Sequence, residues 1–173
     1  MRLAYADPPY LGQGDRYPEH PDAGAWDDPA SHIDLLSRLQ SEFDGWAMSL
    51  SAPSLLVFAP ALPLGTRVAA WVKPFAAFKA NVRCAYTWEP VLFKPARDRS
   101  ADGAPVCRDH LSTPITLKKG LVGAKPRQFC EWVLDLMGYV EGDEVVDIFP
   151  GTRIMQTVVC QGRLPLVAAH SDG

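Results

Sequence analysis

With 173 residues, 47% of them hydrophobic, the chain has material for one buried core and little for a second. Its formal net charge of −3 excludes a uniformly basic nucleic-acid binder, and no apolar run approaches the roughly 20 residues that a membrane-spanning helix needs. The amino terminus has no basic region followed by an apolar stretch, so the expectation is a single cytoplasmic domain over 1–173 with no membrane partner.

In chain order, Leu3 to Ala6 is a short apolar run halted by Asp7 and two prolines, which reads as a buried strand opening into a loop. Residues 11–28 lack periodicity and are rich in Gly, Pro, Asp and His, a long loop of the kind that carries function. Asp28-Pro29 caps a helix expected from Pro29 to Phe43, with Ile33, Leu36, Leu39 and Phe43 at helical spacing. Ser54 to Phe58, bounded by Pro53 and Pro60, is expected to be a central strand buried on both faces. Val68 to Val72 and Arg83 to Phe93 are two further strands, with Phe78 to Asn81 able to turn one back on the other as a hairpin. From Lys94 to Ala124 the chain is polar and basic, and is expected to be a loop or small recognition insertion.

Pro126 opens another helix, whose face is Phe129, Val133 and Leu136 or Met137 and whose stop is Gly138. Glu144 to Phe149 is a strand, Pro150-Gly151-Thr152 its exit, Ile154 to Cys160 a helix, and Leu164 to Ala168 a last short strand. The alternation specifies an α/β fold, a mostly parallel sheet flanked by helices.

The charge is divided unevenly. Lys94, Arg97, Arg99, Arg108, Lys118, Lys119, Lys125 and Arg127 oppose only Asp98, Asp102 and Asp109 between 94 and 128, while both ends of the chain are acidic. Such a segment can contact phosphates on an acidic molecule, or serve as a solvated loop. Cys84, Cys107, Cys130 and Cys160 lack C-x-x-C spacing and read as reduced, buried thiols. His20 and His32 read as separate exposed side chains, and no metal is expected. The five tryptophans read as core or pocket wall.

Two strand exits carry chemistry, at Asp7 and Asp147. In an open parallel sheet such exits share the carboxyl edge, where ligands bind, so they can meet although 140 positions apart. An exocyclic amine is a poor nucleophile because its lone pair is delocalised into the ring. The Asp7 carboxylate and the Pro8 carbonyl, stiffened by Pro9, would accept its two hydrogens and aim the lone pair at an electrophile. Tyr10 offers a face on which a base flipped out of a duplex can stack.

Here the sequence resembles the S-adenosylmethionine-dependent amino-methyltransferases that act on nucleic-acid bases. Asp7-Pro8-Pro9-Tyr10 matches their catalytic tetrapeptide, and Asp147-Ile148-Phe149-Pro150-Gly151-Thr152 is similar to their D-x-F-x-G-[ST] cofactor loop. Lys125-Pro126 resembles the lysine-proline element before that loop. The order, catalytic motif first, is that of the circularly arranged β group of DNA amino-methyltransferases. The resemblance implies a Rossmann-like methyltransferase fold, S-adenosylmethionine as cofactor, and DNA as partner. It implies that Asp147, Phe149, Pro150, Gly151, Thr152 and Lys125 line the cofactor pocket, with Lys94, Arg97, Arg99, Arg108, Lys118 and Lys119 towards nucleic acid.

Three departures accompany it. Arg153 stands where the family places a second glycine, the acidic residue for the ribose is replaced by the stretch His170-Ser171-Asp172, and the carboxyl end is shortened. The expected activity is methylation of N6 of adenine in DNA, with N4 of cytosine next. The alternatives are a catalytically impaired methyltransferase-like module that binds nucleic acid, and an amino-methyltransferase for RNA or a small molecule.

Overall fold

The computed structural model of the protein describes residues 1–17, 22–74, 83–97, 106–116 and 124–161. Six strands form one sheet: β1 (Arg2–Ala6), β2 (Gly45–Ser49), β3 (Arg67–Val72), β4 (Trp88–Lys94), β5 (His110–Ser112) and β6 (Glu144–Asp147). Their order is β5-β3-β4-β2-β1-β6, and β4 alone runs against the rest. Four α-helices cover it: α1 (Pro29–Glu42), α2 (Ala52–Phe58), α3 (Arg127–Met137) and α4 (Ile154–Gln161).

Side chains alternate across β1, so one strand serves two cores. Leu3 and Tyr5 join Trp71, Val91 and Phe93 under Phe129, Val133 and Met137 of α3 and Met155 and Val158 of α4. Ala4 and Ala6 join Trp46, Met48 and Leu92 under Leu35, Leu36 and Leu39 of α1 and Phe58 of α2. Helix α1 begins as its sequence specifies, with the Asp28 carboxylate accepting from the Ala30 N–H at 2.9 Å and Pro29 in the first turn. Helix α3 ends at Gly138, whose φ of 72° is the left-handed stop that glycine adopts without penalty.

The structure corrects four expectations. Residues 54–58 are helical, because Ser51 and Pro53 open a first turn and Ser54 and Phe58, four apart, point to the core while Leu56 and Val57 are exposed. The buried strand in that region is instead Gly45–Ser49, a five-residue run too short to show a period of its own. Within the segment expected to be a loop, β5 adds an edge to β3, fastened by Trp71 Nε1 to the Thr113 carbonyl at 3.0 Å and Trp132 Nε1 to the Arg108 carbonyl at 2.8 Å. Of the cysteines only Cys130 is buried, and Cys84, Cys107 and Cys160 are exposed. Strands β3 and β4 pair antiparallel as a hairpin requires; the turn proposed at 78–81 and the strand proposed at 164–168 lie outside the described residues.

The amino edge of the sheet is closed by a clasp. Arg97 donates to both oxygens of Asp143, at 2.7 and 2.8 Å, and to the Gly138 carbonyl at 2.8 Å. Asp143 also accepts from the Met1 ammonium and the Val140 N–H, each at 2.8 Å. Beside it, a Cβ on Gly45 would stand 2.6 Å from the Ala96 nitrogen, so only glycine admits the chain leaving β4 at this point.

Arg97, ahead of burial, holds the Asp143 carboxyl well below the usual carboxylate range. A depressed carboxylate contributes stability above its unfolded pKa of about 4 and loses it as the pH falls towards the folded value. Thermal melts of Asp143→Asn should therefore show a Tm deficit that is full at neutral pH and closes in acid; a gap independent of pH would mean that charge in the clasp contributes nothing.

Candidate active site

Strands β1 and β6 pair in parallel with Tyr5 opposite Asp147, and the Ile148 N–H donates to the Tyr5 carbonyl at 2.9 Å. Asp7 and Asp147 therefore leave adjacent strands at the same edge. The chain passes from β1 to β2 on one side and reaches β6 on the other, so this edge is a topological switch point, the location of ligand crevices in open α/β sheets.

At the first exit the loop turns at once, with the Gln13 N–H on the Tyr10 carbonyl at 2.8 Å. The Lys125 ammonium, its side chain 8% exposed, lies 2.9 Å from Asp7 Oδ1 and donates to the Tyr10 hydroxyl at 3.0 Å. It stands 5.3 Å above the Tyr10 ring and 5.6 and 5.7 Å from those of Trp71 and Phe129, a cation held over three aromatic faces. The Tyr10 hydroxyl donates in turn to Glu89 Oε2 at 2.9 Å, and Glu89 Oε1 is ion-paired with Lys73. Nearby, Tyr5 and Ser49 share a buried hydrogen bond of 2.9 Å.

Burial raises the Asp7 pKa, against the opposing pull of Lys125. Burial alone would lower the pKa of Lys125, but Asp7, Tyr5 and Glu89 outweigh it and hold the lysine above its ordinary value. For Glu89, burial is likewise outweighed, by Lys125 and Lys73, and its pKa falls. The cluster is thus two carboxylates and two ammoniums around a tyrosine that burial keeps neutral. Sequence placed Lys125 in the cofactor pocket; the structure sets its ammonium on Asp7 and the Tyr10 hydroxyl. Glu89 and Lys73 were missed. Their signal was a charge beginning one apolar strand and another ending its neighbour, at positions where the antiparallel turn of β4 brings them together.

At the second exit, burial pushes the Asp147 carboxyl up to about 6; a hydrogen bond from the Phe149 backbone opposes this and the charge of Asp7 adds to it. Its Oδ1 is buried with no hydrogen-bond partner among the described residues, a vacancy suited to a cationic donor. Phe149 meets Trp26 edge-on at 5.1 Å, Trp26 meets His32 at 5.2 Å, and His32 stacks on Phe58 at 4.8 Å. His32 is thus buried, not exposed as expected, and its Nε2 lies 2.8 Å from the Trp26 carbonyl. His20 lies outside the described residues, among which no group of three His, Cys, Asp or Glu could hold a metal.

Pro150, Gly151, Thr152 and Arg153 are exposed. Arg153 has a φ of 56° and is the one described residue besides glycine with a positive φ, at the position where the resemblance anticipates glycine. Its N–H donates to the Pro150 carbonyl, and its own carbonyl accepts from the Thr157 N–H at 3.0 Å, starting α4. Arg153 lines a shallow surface hollow together with Gln156, Thr157, Cys160 and Gln161.

Of the basic residues expected towards nucleic acid, the described ones are Lys94, Arg97 and Arg108. Arg97 is held in the clasp, and Lys94 pairs with Trp46 at the start of β2, so both sit at the opposite edge from Asp7. Arg108 is exposed ahead of β5, and Arg99, Lys118 and Lys119 lie outside the described residues.

A six-strand sheet with one antiparallel strand, helices on both faces and loops converging at the β1/β6 switch point is a Rossmann-like α/β fold. Among solved structures the chain is similar to M1.HpyAVI in complex with SAM, with a TM-score of 0.61 and 14% identity over 93% of this chain and 76% of that one. It is similar also to M1.HpyAVI alone, with a TM-score of 0.58 and 13% identity over 93% and 75% of the two chains. No protein-family profile matches the chain, and no curated protein does.

A left-handed backbone costs a residue with a Cβ about 1 kcal/mol or more, which offsets the entropy that a new glycine loses on folding. Arg153→Gly should therefore leave the Tm unchanged or higher; a clear drop in calorimetry would show that the arginine side chain stabilises the loop by more than its backbone strains it.

Proposed function

We propose that this chain transfers a methyl group from S-adenosylmethionine to the exocyclic amine of a nucleic-acid base, N6 of adenine in DNA in preference to N4 of cytosine. The observation that carries this reading is the pairing of β1 with β6, which sets the Asp7 and Asp147 exits side by side, with Asp7 paired to Lys125 and Oδ1 of Asp147 without a partner among the described residues. The cofactor, when bound, supplies an electrophilic methyl on a sulfonium.

Asp147 meets the ammonium of the cofactor's amino-acid portion, the group that its unpartnered Oδ1 fits. Gly151 brings backbone close to the same portion, Thr152 offers a hydroxyl, and Phe149, braced by Trp26, forms an apolar wall for the adenosine. Pro150 shapes the turn. At the neighbouring exit, Asp7 accepts one amine hydrogen and the Pro8 carbonyl the other, which localises the nitrogen lone pair towards the methyl. Lys125 occupies Oδ1 of Asp7, so Oδ2 is the oxygen for the amine. Pro9 stiffens the loop and Tyr10 stacks on the flipped base. Bound there, the cofactor would supply direct methyl transfer to the oriented amine nitrogen, with the carbon–sulfur electron pair staying on sulfur as a thioether and the surplus amine proton passing to solvent, since Asp7 is already paired with Lys125.

A second reading, a module that binds nucleic acid without turnover, draws on the strained Arg153. Calorimetry with S-adenosylmethionine and transfer of labelled methyl to DNA separate the two. Asp7→Asn keeps the shape of the site, and should lower turnover by about 100-fold or more with cofactor affinity changed only a few-fold. An equal loss of cofactor binding would mean that the loop serves the donor and not the amine.

The raised pKa of Asp147 sets a pH dependence. Above about 6 the carboxylate is charged and attracts the donor's ammonium; below, it is neutral. Donor affinity should weaken as the pH falls through that region, and Asp147→Asn should bind weakly with a flat profile. A wild-type affinity constant from pH 5 to 8 would remove Asp147 from the pocket.

A further inference from the structure

Glu89 stands outside every role assigned above, yet the site is tied together through it. Strand β4 runs opposite to its neighbours, so its first residues lie beyond the carboxyl ends of the parallel strands: Val91 pairs with Ser49, the last residue of β2, and Glu89 lies two positions further out. There its two oxygens divide. Oε1 takes the Lys73 ammonium, and Oε2 takes the Tyr10 hydroxyl at 2.9 Å and stands 3.8 Å from Lys125. Lys125 is in turn 2.9 Å from Asp7, so one ammonium serves both carboxylates. Glu89 is mostly buried, 20% exposed, which keeps these interactions from being screened away.

Two consequences follow from this geometry. The Tyr10 ring is pinned at its far end, so its face is set before a base arrives and less rotational freedom is lost on capture. Lys125, divided between Glu89 and Asp7, withdraws less electron density from Asp7 than it would if paired with Asp7 alone. Resting on the transferase reading, we infer that Glu89 is a positioning residue for the transfer: it orients Tyr10 for the base and, by sharing Lys125, leaves Asp7 a strong hydrogen-bond acceptor for the amine.

The groups that face Asp7 are Lys125 ahead of α3, Glu89 on β4, Tyr10 and Tyr17 in the loop, Tyr5 on β1 and Asp147 on β6, with Lys73 reaching it only through Glu89. Among these the negative charge of Glu89 raises the Asp7 pKa. Removing that charge must therefore move the titration of Asp7 to lower pH, which a purely architectural role would not do while the site stays intact.

The test uses Glu89→Gln and Glu89→Asp in the whole chain. Carboxyl NMR of Asp7 should show its midpoint falling in the glutamine variant and staying near the wild-type value in the aspartate variant, which keeps the charge. With a duplex containing adenine, KM should rise about fivefold in both as the Tyr10 hydrogen bond is weakened or lost, and kcat on the alkaline plateau should fall about fivefold in the glutamine variant alone, where Asp7 becomes the weaker acceptor. The acid limb of kcat should move down with Asp7 in the glutamine variant alone. An Asp7 midpoint unmoved in Glu89→Gln overturns the inference whether or not the protein transfers methyl groups. A collapse of plateau kcat in both variants also overturns it, by showing that Glu89 holds the fold of the site. Absence of transfer by the wild-type protein overturns the transferase reading instead, with the NMR result still deciding the coupling.

Discussion

The ammonium of Lys125 is enclosed by Asp7, Glu89 and the Tyr10 hydroxyl and lies over three aromatic rings. An ammonium so nearly buried is tolerable only with its carboxylates in place, because stranding a buried charge costs about 3 to 5 kcal/mol. That constraint joins parts of the molecule that share no continuous stretch of chain: the exit of β1, the first turn of β4, the residue that follows β3 and the approach to α3. It also dictates chemistry. A carboxylate that already neutralises a lysine cannot act as a strong general base at the same time, so Asp7 suits a reaction that needs an oriented acceptor and no covalent intermediate.

Asp147 shows the opposite arrangement one strand away. It has burial without a counter-ion, and its carboxyl titrates near 6 as a result. Two acidic residues at matching exits of paired strands thus stand in different electrostatic settings, and the proposed transfer would use one for the hydrogens of a neutral amine and the other for a cation. The difference comes from neighbours and not from residue type: Lys125 reaches the first aspartate, and among the described residues a backbone N–H reaches the second.

Much of this was legible in the sequence because its carriers are local. Asp28-Pro29 starts a helix by the chemistry of two adjacent residues, Gly138 ends one, and Asp7-Pro8-Pro9 and Asp147 to Thr152 mark exits wherever the strands lie. What escaped were properties that depend on distant pairing. The run at 54–58 has the composition of a strand, and only its contact with α1 and β4 selects the helical face of Ser54 and Phe58. Glu89 and Lys73 read as charges at strand ends until the antiparallel register sets one beside the other. Charge counted along the chain likewise says nothing of where each residue lies, and the sheet sends Lys94 and Arg97 to the edge away from Asp7.

The pairing of β1 with β6 also bears on how the molecule reaches its final form. The first strand lies in the interior of the sheet, and its partner on one side is made of residues about 140 positions later. A chain emerging from the ribosome therefore holds β1 with its hydrogen bonds on that side unmet until Glu144–Asp147 has been synthesised. Contacts of such long sequence separation are slow to form and leave a strand edge open to other pairings meanwhile. Among the described strands β6 is the last to be made, so an unfinished chain displays Asp7 without Asp147.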